Sequence, residues 1–102
     1  MAKLIVMYPK PKDPAHFAKY FRETHAPLVA KMPGYRGASF GEATGPDGKD
    51  GAFVWVFVGT FDSVEAIGKG LGAPEGEAAV ADIPNYSPDH QPTILAVEST
   101  DA

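Results

Sequence analysis

Three histidines, His16, His25 and His90, are the side chains best suited to move a proton near neutral pH, because an unperturbed imidazole titrates at about 6.5. No two of them stand at the i,i+4 spacing that puts two metal ligands on one helix face, so no metal is expected. His25 is the one with a place to work. It follows Phe21 by four residues and precedes Leu28 by three, on the border of an apolar helical stripe. An imidazole there looks into a space between helix and sheet. Alternatively it bonds a backbone carbonyl and ties down the helix end before Pro27, and position alone favours this second role.

Asp82 follows the apolar run Ala78-Ala79-Val80-Ala81 and is the natural partner for His25, fixing which ring nitrogen carries the proton. Capping the short helix it ends is its plainer role. Tyr86 stands in a proline-bounded loop, and Arg22, one turn before His25, belongs to the solvated edge. Trp55 and Phe57 are core residues first. They are also candidates to line an apolar pocket opening toward a dimer cleft, and Tyr8 and Tyr86 are further candidates for ligand binding.

Two further patterns carry no chemistry. Gly37-Ala38-Ser39-Phe40-Gly41 spells G-x-S-x-G, with Asp62 or Asp82 and His90 following in hydrolase order. That elbow works only at a strand-to-helix turn of a much larger sheet, whereas here it falls inside a hairpin strand. Gly68-Lys69-Gly70-Leu71-Gly72 misses the dinucleotide spacing and follows no strand.

The elements that must position His25 follow from periodicity and punctuation. Lys3–Tyr8 is an apolar strand stopped by Pro9, Pro11 and Pro14. Asp13-Pro14 starts a helix, and Phe17, Phe21, Leu28 and Met32 carry its spacing until Pro33-Gly34. Tyr35–Glu42 and Ala52–Phe61 are strands around the turn-rich loop Thr44–Gly51. Asp62, read as a carboxylate cap, opens a second helix that Gly68, Gly70 and Gly72 weaken and break, and Pro74-Glu75 begins a short helix to about Asp82. Thr93–Glu98 is the last strand. The order βαββαβ is ferredoxin-like: an α+β fold with a four-stranded antiparallel sheet and its helices on one face, spanning residues 1–102 as one domain.

The strands are apolar on both faces. Phe53, Trp55, Phe57 and Phe61 alternate with Val54, Val56 and Val58, Leu4, Val6 and Tyr8 with Ile5 and Met7, and Ile94 and Ala96 with Leu95 and Val97. Helices cover one face only, so the other calls for a partner, and a homodimer packed sheet against sheet is expected.

Composition limits the rest. Nine Lys and Arg, scattered singly, against thirteen Asp and Glu give a net charge of −4, which argues against a nucleic-acid partner. No cysteine is present, which excludes disulfides and thiol chemistry. No apolar run approaches the roughly 20 residues of a membrane span, and Met1–Tyr8 reads as a strand, not a signal peptide. A cytoplasmic protein is the default.

Tyr8-Pro9, Phe17-x-x-Tyr20-Phe21-x-x-x-His25-x-Pro27-Leu28, Pro33-Gly34, Phe61-Asp62-Ser63 and Asp82-Ile83-Pro84-Asn85-Tyr86 give the chain, over nearly its whole length, a close resemblance to the EthD family. These small proteins were first linked to ethyl tert-butyl ether degradation. The resemblance implies a dimeric α+β barrel, in a family whose founding members accompany a cytochrome P450 system. Superfamily relatives include cyclases, lactone isomerases, decarboxylases and cofactor-free monooxygenases, several with a histidine facing the pocket where His25 stands. Methylmuconolactone-isomerase-like relatives place a tyrosine in the second strand and a histidine before the third, where this chain has Gly37-Ala38-Ser39-Phe40 and Lys49-Asp50-Gly51. Haem-binding relatives need a ligand with basic support, which this chain does not show.

Two readings lead, and a third, a haem or metal protein, would show as colour or metal content in purified material. One is a cofactor-free protein of small-molecule catabolism that binds a small apolar or aromatic compound by His25, with acid–base chemistry. The other is a non-catalytic dimeric accessory protein for an oxygenase system. An open cleft at His25 favours the first and a closed one the second.

Overall fold

The alternating run at the start of the chain becomes the middle of the sheet. In the computed structural model, which describes residues 1–102, β1 (Ala2–Tyr8) pairs with β3 (Trp55–Phe61) on one side and β4 (Thr93–Glu98) on the other. With β2 (Ala38–Glu42) at the far edge, the order is β2-β3-β1-β4 and every pairing is antiparallel. The connections are α1 (Pro14–Tyr20), a π-helical turn (Phe21–His25), α2 (Ala26–Val29), α3 (Val64–Gly72), α4 (Pro74–Asp82) and a 3₁₀ turn (Ile83–Asn85). This is the expected ferredoxin-like fold. No helix is long and apolar enough to cross a membrane.

Local details depart from expectation for identifiable reasons. β2 begins at Ala38, not Tyr35, because Gly34 and Gly37 take positive φ (84° and 104°) and turn the chain there. Asp62 does not cap α3. Ser63 does, its Oγ accepting from the Ala66 amide at 3.0 Å, while Asp62 pairs with Arg36 at 2.6 Å. Nor do the glycines break that helix. It runs through Gly68, Gly70 and Gly72 and stops at Ala73 (ψ 158°), which Pro74 forces into an extended conformation. Gly70 and Gly76 serve close approach instead. A Cβ on Gly70 would sit 2.8 Å from the Pro33 carbonyl oxygen, and one on Gly76 would collide with the Gly70 carbonyl.

The first helical segment is where His25 is aimed. Phe17, Phe21, His25 and Val29 are all buried, at steps of four. Such steps overshoot a 3.6-residue turn by about 40° each, so in a regular helix the fourth residue would swing off the core. The π turn takes up this drift: the Ala26 amide donates to the Phe21 carbonyl, five residues back. Pro27 supports the wider turn, since it has no N–H for the Glu23 carbonyl and its ring would crowd that carbonyl in a regular helix.

The two faces of the sheet separate cleanly. Ala2, Leu4, Val6 and Tyr8 of β1 and Trp55, Phe57 and Phe61 of β3 are buried under the helices. Their alternates Ile5, Met7, Val56 and Val58 are half-buried on the other face. Register adds Leu95 beside Ile5 and Val97 beside Lys3 on that face. Both are exposed (45% and 38%), so an uncovered apolar surface remains. Trp55, Phe57, Tyr8 and Tyr86 belong to the helix-covered side, not to the uncovered face. Apolar residues of that side stay open toward its edges: Ile94 (43%) on the edge strand β4 and Phe40 (38%) on β2.

Candidate functional site

Two segments distant in sequence build the site. The π turn carries His25 inward, and α4 ends at Asp82 where Pro84 stops it. His25 Nδ1 lies 3.0 Å from Asp82 Oδ2, and both residues are buried, 4% and 8% exposed. Asp82 thus does not cap its helix, and His25 does not bond a backbone carbonyl: each is the other's partner.

Two more donors meet the same carboxylate. The Tyr20 hydroxyl donates to Asp82 Oδ1 at 2.6 Å, and Asn85 Nδ2 donates to it at 2.9 Å. The 3₁₀ turn explains the second contact, because residues three apart eclipse there. Behind this hub, Tyr86 stacks on Tyr20 (centroids 5.6 Å apart) and meets His25 at a tilt (4.7 Å, 51°). Its hydroxyl shares a hydrogen bond of 2.7 Å with that of Tyr8.

The electrostatics follow from burial and donors. Burial pushes the Asp82 carboxyl up, but hydrogen bonds from Tyr20, Asn85 and His25 together outweigh it and hold the group below the usual carboxylate range. Burial is the larger influence on His25 and lowers it from 6.5, with Asp82 pulling the other way. The arrangement at neutral pH is an ionised Asp82 and a neutral imidazole, its Nδ1–H donating to the carboxylate. Burial pushes the Tyr8 hydroxyl up to about 12 and Tyr86 higher, while Tyr20 is raised first by its bond to Asp82. All three phenols stay protonated.

Nε2 of His25 is left over. It has no hydrogen-bond partner within the chain and is not among the fully buried polar atoms, of which Trp55 Nε1 is the lone unpartnered one. His25 lines a cavity of about 40 Å³ between the helices and the sheet, whose twelve other lining residues are hydrophobic. Among them are Tyr8, Phe21 and Phe57, and half-exposed Val80 and Ile94 belong to the same lining. A neutral imidazole with Nδ1–H held by a carboxylate presents Nε2 as a base, and the carboxylate stabilises the cation formed when it takes a proton.

The candidates read from sequence are therefore divided. His25 and Asp82 come together, with Tyr8 and Phe57 in the cavity wall. Tyr86 lies behind the wall against His25 and Tyr8. Trp55 stands across Phe21 (5.5 Å) and lines a different pocket. Sequence reasoning missed Tyr20 and Asn85 as anchors of Asp82. Asn85 had a signal in its three-residue spacing, but Tyr20, 62 positions away, had none. Nowhere do three His, Asp or Glu side chains gather as metal ligands would.

The geometry has counterparts. A family model described as the EthD domain matches residues 10–90. A solved EthD family protein from Bacillus halodurans superposes with a TM-score of 0.86 at 28% identity, covering 98% of this chain and 99% of that one. An uncharacterized 11.0 kDa protein of the thcB–thcC intergenic region of Rhodococcus erythropolis is 27% identical over 100 residues, 98% of this chain and 97% of its own length. A dimeric ferredoxin-like protein of unknown function from Thermobifida fusca has a TM-score of 0.66 at 16% identity, covering 94% of this chain and 87% of its own, a likeness of fold alone.

Proposed function

The chain belongs to the EthD family, and on that premise we propose that it acts in small-molecule catabolism of the ether-degrading kind as a homodimer, binding a small apolar or aromatic compound beside His25. The observation that carries this reading is the Asp82–His25 pair at the wall of an otherwise hydrophobic cavity. Such a wall binds apolar matter without orienting it, and one basic nitrogen in it selects a compound with an acidic proton. Asp82 holds the tautomer, Nε2 receives the proton, and the three donors on Asp82 keep it ionised while His25 is charged. General-base catalysis of this type is worth about 10²–10⁴-fold.

A second reading has its own support. About 40 Å³ takes a few waters and no substrate, so the cavity must widen at Val80 and Ile94 before anything larger enters. A cleft that stays this narrow fits the non-catalytic accessory protein of an oxygenase pathway.

5-Nitrobenzisoxazole, a small aromatic whose ring opens on loss of one C–H proton, separates the two. The wild type is expected to exceed His25→Ala and Asp82→Asn in rate by tenfold or more. Equal rates in all three, with the probe bound, reject the base and leave the accessory reading.

A further inference from the structure

A second pocket lies at the other end of α1. It measures about 200 Å³, and neither His25 nor Asp82 lines it. Its inner wall is Phe17, Ala18, Val54 and Trp55, Pro11 and Pro14 contribute ring faces, and Lys10, Glu42 and Asp50 supply its charges. Trp55 is 7% exposed, and its Nε1 is the one buried side-chain polar atom of the chain without a hydrogen-bond partner. Buried donors are almost always matched, so an unmatched one on a side chain that lines a pocket marks a place where an acceptor is wanted.

We propose that this pocket is a second binding site, for a neutral single-ring aromatic compound whose carbonyl oxygen accepts from the Trp55 indole. Size sets the single ring, since drug-sized ligands need about 300 Å³ or more. The aromatic and proline faces set the planar apolar body. Charge excludes an anion, because two carboxylates face one ammonium. The nitrogen has no open surface of its own, so the indole turns toward the pocket as the acceptor arrives. That turn moves the ring against Phe17, Phe21 and Phe40, which it touches by edge or tilt at centroid distances of 5.5–6.1 Å, and Phe40, itself 38% exposed, is the neighbour that gives way.

Trp55 is the only tryptophan, so its indole N–H gives one isolated cross-peak in a ¹⁵N–¹H correlation spectrum of the full chain. Acetophenone is expected to shift that peak saturably at millimolar concentration. Ethylbenzene, of similar shape without the acceptor, should bind at least about tenfold more weakly, and benzoate should leave the peak in place. Ala18→Phe, or Ala18→Leu if the first does not fold, fills the pocket and should abolish the shift, whereas His25→Ala should retain it. The proposal is overturned by no saturable shift with acetophenone, by ethylbenzene binding equally well, by benzoate shifting the peak, or by a shift that survives filling the pocket. Loss of the shift in His25→Ala would also overturn it, by placing the compound in the other cavity. The outcome is independent of whether His25 acts as a base.

Discussion

His25 is held between two opposed influences, and their balance can be measured. Burial lowers its pKa and Asp82 raises it. Removing the negative charge leaves burial unopposed, so Asp82→Asn should move His25 further below its wild-type value in a histidine NMR titration; an upward move would contradict the pairing. The same shift has a consequence for folding. The unfolded chain holds the imidazole near 6.5 and the folded chain lower, so the unfolded state takes up more protons as pH falls, and stability rises with pH across that window. Asp82, also lowered, gives up its contribution only as pH falls below its ordinary 3.8. Wild-type stability should therefore decline from about pH 7 to pH 5 by denaturant unfolding, and His25→Gln should flatten the profile there. A profile unchanged by that substitution would mean that His25 is not buried neutral. His25 itself was legible from its apolar neighbours. Its bond to Asp82 was one of two open readings, because 57 residues separate them and only the fold decides.

At the scale of elements, helix and strand positions were legible because proline and glycine punctuate them, but the reasons for particular turns were not. Regular helical periodicity put His25 on the edge of a stripe, and the π turn puts it in the middle. Periodicity assumes a constant turn and cannot register one widened before Pro27. The glycines of α3 misled for a related reason. All three look like helix breakers, whereas Gly68 and Gly72 face open space and Gly70 packs against the Pro33 carbonyl. Gly68 has open space around it, so Gly68→Ala should stabilise the chain by about 0.5–1 kcal/mol. Gly76→Ala drives a Cβ into the Gly70 backbone and should cost more than that gain, by several kcal/mol if the helices must separate. Denaturant midpoints measure both. Stabilisation by Gly76→Ala would show that the α3–α4 contact is not as close as described.

For the whole molecule, one sheet divides two tasks. Its helix-covered face holds the Asp82–His25 pair and the aromatic wall, and its other face presents Ile5, Met7, Val56, Val58, Leu95 and Val97 with no covering layer. The two-sided apolar pattern was readable from strand alternation alone. Which side held the cavity was not, because alternation fixes which residues share a face but not which face the helices choose. At about 25 cal/mol per Å², burying such a face outweighs any exposed ion pair of this surface, such as Lys69–Glu65 at 3.2 Å. Two copies joined there leave both His25 sites outside the interface, each within its own chain. Sedimentation equilibrium at micromolar concentration decides it: a sheet-to-sheet dimer gives a mass twice the 10.8 kDa of one chain, and a mass of 10.8 kDa alone rules the dimer out.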